Sequence, residues 1–217
     1  MEMYPLLSAL FSSLTWKEYV EIFGTIIGLV YMYFQYTANP RVWYVSIVNS
    51  LPFIGLNFVV GNYASFLLFV YYLVVAVWSI FVTPDTEKEQ GVFYIRPIPR
   101  RMYLPLLAVT AALTGLIYWG QLHIESIVRF FSATAVVAPA QAPLLDSFAT
   151  ALSFVGMWLL ARKYLEQWLL WIVVNVAFIY VYIASATYLW AVLFFAYALI
   201  AILGYMNWKK LMKQQVA

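Results

Sequence analysis

Seven apolar stretches, each about as long as a membrane-spanning helix, dominate this sequence. A helix that crosses a bilayer needs about 20 mostly apolar residues. Apolar residues make up 65% of the 217 residues and charged residues only 10%, a balance that excludes an ordinary water-soluble domain. The stretches should be helices, because lipid offers no partner to backbone N–H and C=O groups. The predicted spans are 18–36, 42–60, 63–82, 103–121, 144–160, 165–183 and 187–208.

The basic residues between the spans predict the orientation. With seven spans, ten of the twelve lysines and arginines fall on one side, and only Lys17 and Arg129 fall on the other. We therefore expect a multi-pass membrane protein with the N-terminus outside and the C-terminus in the cytoplasm. Because the basic residues lie between apolar runs and do not form a continuous stripe, they indicate membrane orientation, and we expect no nucleic-acid partner.

The first three and the last three spans show a weak internal repeat. Both triplets run in the same direction, because a single helix joins them. This predicts an all-α membrane protein with a 3+1+3 arrangement of parallel three-helix repeats and a site at their interface. At an offset of 125 residues the pairs are Glu21 with Asp146, Trp43 with Trp168 and Tyr63 with Tyr188, and Asn49 meets Asn175 after a slip of one residue.

The predicted organisation has six parts. Residues 1–15 form a short N-terminal interfacial segment, residues 16–82 the N-terminal three-helix repeat, and residues 83–102 a cytoplasmic loop. Residues 103–143 hold the linking helix and an external crossover. Residues 144–208 form the C-terminal three-helix repeat, and residues 209–217 a basic cytoplasmic tail.

The residues needed for catalysis or metal binding are missing from the sequence. There is no cysteine and one histidine, which excludes thiolate chemistry and a multi-histidine metal site. No hydrolase, nucleotide-binding or zinc-protease motif occurs, so we expect no enzyme, no catalytic residue and no cofactor. The acidic residues near the spans lie at their ends. Ion-coupled transport usually needs a carboxylate within the membrane, so this pattern favours facilitated diffusion.

The sixth span carries the most informative pattern. Its aromatic and amide residues recur at intervals of three and four, which places them on one face of a helix. They could form a packing stripe with one interhelical amide bond, worth about 0.6 kcal/mol. They could also form a stacking wall for a flat heteroaromatic ligand, with the amide reading its edge. The residues are Trp168, Trp171, Asn175, Phe178 and Tyr182.

Further candidate residues lie on other spans. Asn49 lies within the second span, and Phe69 and Tyr72 lie on the third, where they could contact the same ligand. Gln35 lies at the end of the first span and Glu166 at the start of the sixth, so we predict a gating role for both, with a simple interfacial position as the alternative.

One run of residues is specific enough to indicate a family. Residues 162–171 carry the pattern Arg-Lys-x-x-Glu-x-Trp-Leu-Leu-Trp, followed by Asn175 and Tyr188, and the N-terminal half carries Glu21, Gly24 and Asn49. In these residues the chain resembles the Pnu family of bacterial vitamin transporters, over nearly its whole length. The resemblance implies a fold similar to full-length SWEET-type facilitators, a homotrimer, and a location in the bacterial inner (plasma) membrane.

The departures from the family bear on the substrate. Riboside carriers of this family typically have Asn where this chain has Gln167, and amides and tryptophans along the third span. The positions on that span are Phe69, Ala76, Ile80 and Thr83 here. The family also has members that resemble thiamine transporters, and flat cationic rings suit aromatic walls. We therefore expect uptake of an unphosphorylated vitamin, with thiamine ahead of nicotinamide riboside.

Two further expectations concern partners and alternatives. A cytoplasmic vitamin kinase would trap the imported vitamin and prevent its return. A membrane scaffold subunit or an intramembrane enzyme is the alternative from a different class, and the missing catalytic set argues against the enzyme.

Overall fold

The computed structural model describes residues 15–59, 61, 63–126, 142–184, 186 and 188–215. Residues 1–14 of the predicted interfacial segment 1–15 and most of the external crossover lie outside these residues. A short helix, Asp85–Gln90, and a 3-10 turn, Arg100–Met102, lie in the loop before the fourth long helix. The long helices in the described part are α1 (Trp16–Tyr36), α2 (Val42–Val59), α3 (Tyr63–Val82), α4 (Tyr103–Leu122), α5 (Pro143–Ala161), α6 (Gln167–Ala184) and α7 (Tyr188–Gln214).

Six of these helices, α2 to α7, are long and apolar enough to cross a membrane, counted over the described residues. They correspond to the second to seventh predicted spans, so the chain is an all-helical, multi-pass membrane protein. Helix α1 is 21 residues long but is not among the six. Charged residues occupy its first two turns, and Glu18 caps its start by accepting the Thr15 backbone N–H at 2.6 Å. A seventh span over α1 stays a prediction.

The helices pack in a ring of six with one helix outside it. Helices α1, α2 and α3 pack in sequence, as do α5, α6 and α7, and contacts of α3 with α5 and of α7 with α1 close the ring. Helix α4 packs chiefly against α5 and is the least buried of the six apolar helices. Helix α5 is the most buried. Its small residues allow this, because they let neighbouring helices approach closely.

The backbone of the first triplet recurs in the second at an offset of 125 residues. Helices α2 and α6 begin at residues 42 and 167, and α3 and α7 at residues 63 and 188. The turns between them share an uncommon feature, a positive φ. Ala38 and Lys163 have φ of 54° and 60°, and Gly61 and Ala186 have φ of 75° and 54°.

Side chains follow the same offset. An aromatic pair joins α2 to α3, and its counterpart joins α6 to α7 at a similar centroid distance, although the first pair is stacked and the second is tilted. The ring centroids are 4.9 Å apart for Phe53 and Phe69 and 5.1 Å apart for Phe178 and Phe194, and edge contacts extend each pair to Tyr72 at 5.8 Å and to Tyr197 at 5.7 Å.

The two asparagines do not keep the pairing predicted from the sequence. At a constant offset of 125, Asn175 corresponds to Ser50 and Asn49 to Val174. The predicted pairing needs a slip of one residue, which rotates a side chain by about 100° around a helix. The two amides therefore do not occupy equivalent faces of α2 and α6.

Aromatic side chains close one end of the helix ring. This end, which we call the basic end, consists of the turns 37–41 and 162–166, the loop 83–102 and the C-terminal turns of α7. It carries ten of the twelve lysines and arginines. At its centre, Trp43, Phe93, Trp168 and Trp208 are each no more than 1% exposed and belong to one apolar cluster.

Candidate substrate-binding site

A group of polar and aromatic side chains lies between the two triplets. Tyr31 of α1 donates a hydrogen bond to the sulfur of Met157 on α5, at 3.9 Å. The phenol of Tyr72 on α3 lies beside the Ser153 hydroxyl of α5 and near the phenol of Tyr31. Trp171 of α6 packs against the same apolar core as these tyrosines. We call these five residues, drawn from four helices of both triplets, the central cluster.

A glycine on α5 positions Trp171. A Cβ atom at Gly156 would lie 3.4 Å from two atoms of the Trp171 indole, so the ring rests directly on the α5 backbone. The indole Nε1 is buried and has no hydrogen-bond partner in the described part of the chain. A buried donor left unpaired costs about 1–3 kcal/mol, so this N–H is available to a ligand acceptor.

Two amides lie on the helices beside the central cluster. Asn175 is one turn beyond Trp171 on the same face of α6 and is 5% exposed. The side-chain oxygen of Asn49 on α2 is buried and also lacks a partner among the described residues. Buried polar atoms are normally paired, so an unpaired acceptor and an unpaired donor are features that a ligand could satisfy.

Three aromatic candidates lie in helix packing contacts. Phe69 stacks on Phe53, with an interplanar angle of 17°, and its edge meets Tyr72. Phe178 and Tyr182 each lie 5.1 Å from the ring of Phe194 on α7. Phe69 contacts a member of the central cluster directly, through the ring of Tyr72.

Trp168 is brought to the basic end. Its ring fits against Gly204, where a Cβ atom would lie 2.6 Å from it, and it meets Trp208 edge-on at 5.9 Å. It is fully buried among the aromatic residues of that end. Trp168 and Trp171, both predicted to contact the ligand, lie one helical turn apart on α6, and Trp171 packs against the apolar cluster that contains Trp168.

The two predicted gating residues have different surroundings. Gln35 donates a hydrogen bond from Nε2 to Oε1 of Gln167 at 2.9 Å, and both side chains are no more than 1% exposed. This pair joins α1 to α6 between the central cluster and the basic end. Glu166 instead accepts the backbone N–H of Ile98 at 2.9 Å and so anchors the loop before α4.

The face of α3 expected to distinguish substrates is mostly packed inside the protein. Ala76 is fully buried, and Ile80 packs against the apolar core of the basic end. The Thr83 hydroxyl donates to the Ser79 carbonyl of its own helix at 2.6 Å. Of this helix, Tyr72 belongs to the central cluster and Phe69 touches it.

Sequence reasoning missed the contribution of α1 and α5. Tyr31, Ser153, Gly156 and Met157 carry no motif and lie in apolar spans. The available signal was the small residues of the fifth span, Ser153 and Gly156, because small residues in a spanning helix mark close contact with neighbours.

Comparisons with known proteins agree on the family. Residues 18–210 match the family described as nicotinamide mononucleotide transporter. The "Nicotinamide riboside transporter PnuC" of Escherichia coli (strain K12) is 26% identical over 206 residues, which cover 88% of this chain and 85% of that protein. A protein of the same name from Neisseria mucosa is 27% identical over 207 residues, covering 89% of this chain and 64% of its own length.

A solved structure shares the fold. The crystal structure of the vitamin B3 transporter PnuC aligns with 96% of this chain and 87% of its own chain, with a TM-score of 0.66 at 17% identity. The family match covers nearly all of the described helices. The prediction that the chain is a Pnu-type transporter and not an enzyme is confirmed. The chain belongs to the nicotinamide mononucleotide transporter family, in which its relatives are PnuC proteins.

Proposed function

We propose that this chain carries nicotinamide riboside, or a vitamin of closely similar chemistry, across the membrane by facilitated diffusion. The names of the relatives support the riboside, which the sequence had placed second to thiamine. The observation that carries the proposal is the buried N–H of Trp171, which has no partner among the described residues, on an indole ring that rests against Gly156 of α5.

The chemistry of the riboside suits the central cluster. Its flat, positively charged pyridinium ring can stack on an indole and gain cation–π attraction. Its carboxamide can accept from Trp171 Nε1 and donate to the oxygen of Asn49. The hydroxyls of Tyr72 and Ser153 can pair with the ribose hydroxyls, which would be costly to bury unpaired.

Thiamine remains the second candidate because of one feature of α3. Phe69, Ala76 and Ile80 offer no amide along that helix, and thiamine, which lacks a ribose, needs fewer polar partners. The comparisons do not favour it, so it serves below as the competing ligand.

The positions of the carboxylates support passive transport. Glu18 caps the start of α1, Asp146 in the first turn of α5 accepts a hydrogen bond from Gln121, and Glu166 holds the loop before α4. All three lie at helix ends, whereas a coupling ion usually needs a carboxylate within the membrane.

Two parallel repeats joined by α4 would provide alternating access. The recurrence of helix starts and positive-φ turns at an offset of 125 supports this 3+1+3 arrangement, similar to that of SWEET-type facilitators. The ten basic residues at one end support placing that end in the cytoplasm of the inner membrane, with the N-terminus outside.

Two partners complete the proposal. The exposed apolar surface of α4, including Leu104, Leu107 and Leu116, is available to lipid or to neighbouring subunits of the homotrimer that the family resemblance implies. A cytoplasmic vitamin kinase would keep the flux inward. A membrane scaffold would not need unpaired polar atoms between its helix triplets, so the central cluster favours the transporter.

A binding titration of the purified protein tests the proposal. We expect nicotinamide riboside to bind with a lower Kd than thiamine, and the phosphorylated vitamin to compete poorly. Tighter binding of thiamine would reverse the substrate assignment. If neither vitamin binds nor enters liposomes that contain the protein, the proposed function is wrong.

A further inference from the structure

An extended segment crosses the basic end and contacts both triplets. In this segment, residues 92–98, which we call the strap, the Phe93 N–H donates to the Ala38 carbonyl at 2.7 Å. The Arg96 N–H donates to the Lys163 carbonyl at 3.2 Å. Ala38 and Lys163 are the positive-φ residues of equivalent turns, so the strap joins matching corners of the two repeats.

The strap is firmly attached to the turn 162–166 of the second triplet. The Leu165 N–H donates back to the Arg96 carbonyl at 3.0 Å, which makes Arg96 and Tyr164 partners in a parallel β-bridge. The Arg96 guanidinium lies 5.0 Å from the centre of the Tyr164 ring, and its Nε donates to the Arg162 carbonyl at 3.2 Å.

Two side chains of the second triplet also hold the strap. Glu166 accepts the Ile98 N–H at 2.9 Å. Gln215, just beyond α7, donates to the Phe93 carbonyl at 2.6 Å and accepts the Ile95 N–H at 3.0 Å. These bonds fix both halves of the strap to the second triplet.

An ion pair adds to this attachment just before the strap. Lys163 lies 2.5 Å from Glu87 of the short helix, and both side chains are at least 86% buried. The pair ties the polypeptide that leads into the strap to the corner residue of the second triplet.

The attachment to the first triplet is much weaker. Among the described residues, its backbone hydrogen bond is that of the Phe93 N–H to Ala38, and the remainder is apolar packing, including that of the Phe93 ring on Trp43 with ring centroids 5.9 Å apart. The Phe93 side chain is fully buried there. A buried aromatic ring with one backbone bond can separate without leaving a charge unpaired, whereas releasing the other side would break an ion pair and several bonds.

We propose that the strap is a lid that moves with the second triplet, and that the basic end opens by separating Phe93 from Ala38 and Trp43. This inference depends on the proposed transport function, because a carrier must open this end to release its substrate. The Gln35–Gln167 pair crosses the same boundary and separates in the same movement. The bonds of Arg96, Ile98 and Gln215 persist through it.

Cysteine pairs can test this lid, because the chain has no native cysteine. The pair Ala38→Cys with Phe93→Cys bridges the proposed boundary. The matched control pair, Arg96→Cys with Tyr164→Cys, lies within the unit that should move together. The control partners Arg96 and Tyr164 face each other across a parallel β-bridge, where neighbouring strands lie about 4.7–4.9 Å apart, a separation that suits a disulfide. If either disulfide does not form, a short bifunctional thiol-reactive reagent, such as a bis-methanethiosulfonate, joins the two cysteines through disulfides that reduction still breaks.

Each protein is reconstituted in liposomes, and uptake of nicotinamide riboside is compared in the oxidised and the reduced state of the same variant. We expect oxidation across the boundary to slow uptake at least tenfold, reversibly on reduction, while equilibrium binding of the riboside is retained. Oxidation of the control pair should change uptake less than twofold.

The lid hypothesis would be wrong if the oxidised boundary pair took up the riboside at an unchanged rate. It would also be wrong if oxidation slowed uptake equally in the boundary pair and the control pair. A failure of the proposed function looks different: then neither the unmodified protein nor the reduced variants would take up the riboside.

Discussion

Replacing Trp171 by phenylalanine separates the two contributions expected of this residue. Phenylalanine keeps an aromatic face against Gly156 but removes the indole N–H, which has no partner among the described residues. If that N–H donates to the substrate, its loss costs about 1–1.5 kcal/mol of binding. Because 1.4 kcal/mol corresponds to a tenfold change in the dissociation constant, we expect the Kd for nicotinamide riboside to rise about five- to tenfold.

The alanine variant should lose the stacking surface as well. Stacking on an aromatic side chain is worth about 1–3 kcal/mol in nucleic-acid sites, so Trp171→Ala should weaken binding by a further factor of about 5 to 150. The stability of the phenylalanine variant should be close to that of the unmodified protein. In Trp171→Phe, the relief of an unpaired buried donor offsets the smaller ring, so the melting temperature should change little.

Isothermal titration of the purified variants in detergent gives the Kd, and a thermal melt verifies folding. Trp168→Phe is the matched control, because its indole N–H is also buried and unpaired but lies at the basic end. It should melt like Trp171→Phe and bind the riboside like the unmodified protein. Unchanged affinity in both well-folded Trp171 variants would refute the placement of the site, and a tenfold loss in Trp168→Phe would move it to the basic end.

Three further predictions follow from the same structure. Asn175→Leu should raise the Kd for the riboside about tenfold by titration without lowering the melting temperature; a normal Kd would remove Asn175 from the site. Gly24→Ala should lower the melting temperature, because a Cβ atom there would collide with the Phe53 ring. Gly28→Ala should be tolerated, because the nearest atom to its Cβ would be the Tyr197 oxygen at 3.6 Å; equal melting temperatures of the two variants would contradict this reasoning. Uptake into liposomes at zero membrane potential should stop at equal concentrations on both sides; accumulation driven by a sodium or pH gradient would reveal a coupling site.

Sequence reasoning was accurate where one local rule decides the structure. Helices α2 and α3 begin at the predicted residues 42 and 63, and α6 and α7 begin within two residues of the prediction. Hydropathy over about 20 residues is sufficient there, because the bilayer imposes length and apolar character on each helix separately. The specific motif around Trp168 and Trp171 likewise identified the family.

Sequence reasoning was less accurate where a side chain depends on its neighbours. Helical spacing placed Trp168 and Trp171 on one face, but it could not reveal that Trp168 packs against Gly204 and Trp208 at the basic end. The weak repeat suggested that Asn49 pairs with Asn175, whereas the constant offset in the structure pairs Asn175 with Ser50.

The sequence by itself determined the solvent, the family and the order of the helices, because apolar length, basic loops and one specific motif are properties of a single segment. The tertiary structure decided which side chains meet. Tyr31, Ser153 and Trp171 lie far apart along the chain and come together because α5 packs against α6 and α3 while α7 packs against α1. Helices in lipid gain little from burying apolar surface against each other, so their pairing depends on close packing and polar contacts, which become visible only in three dimensions.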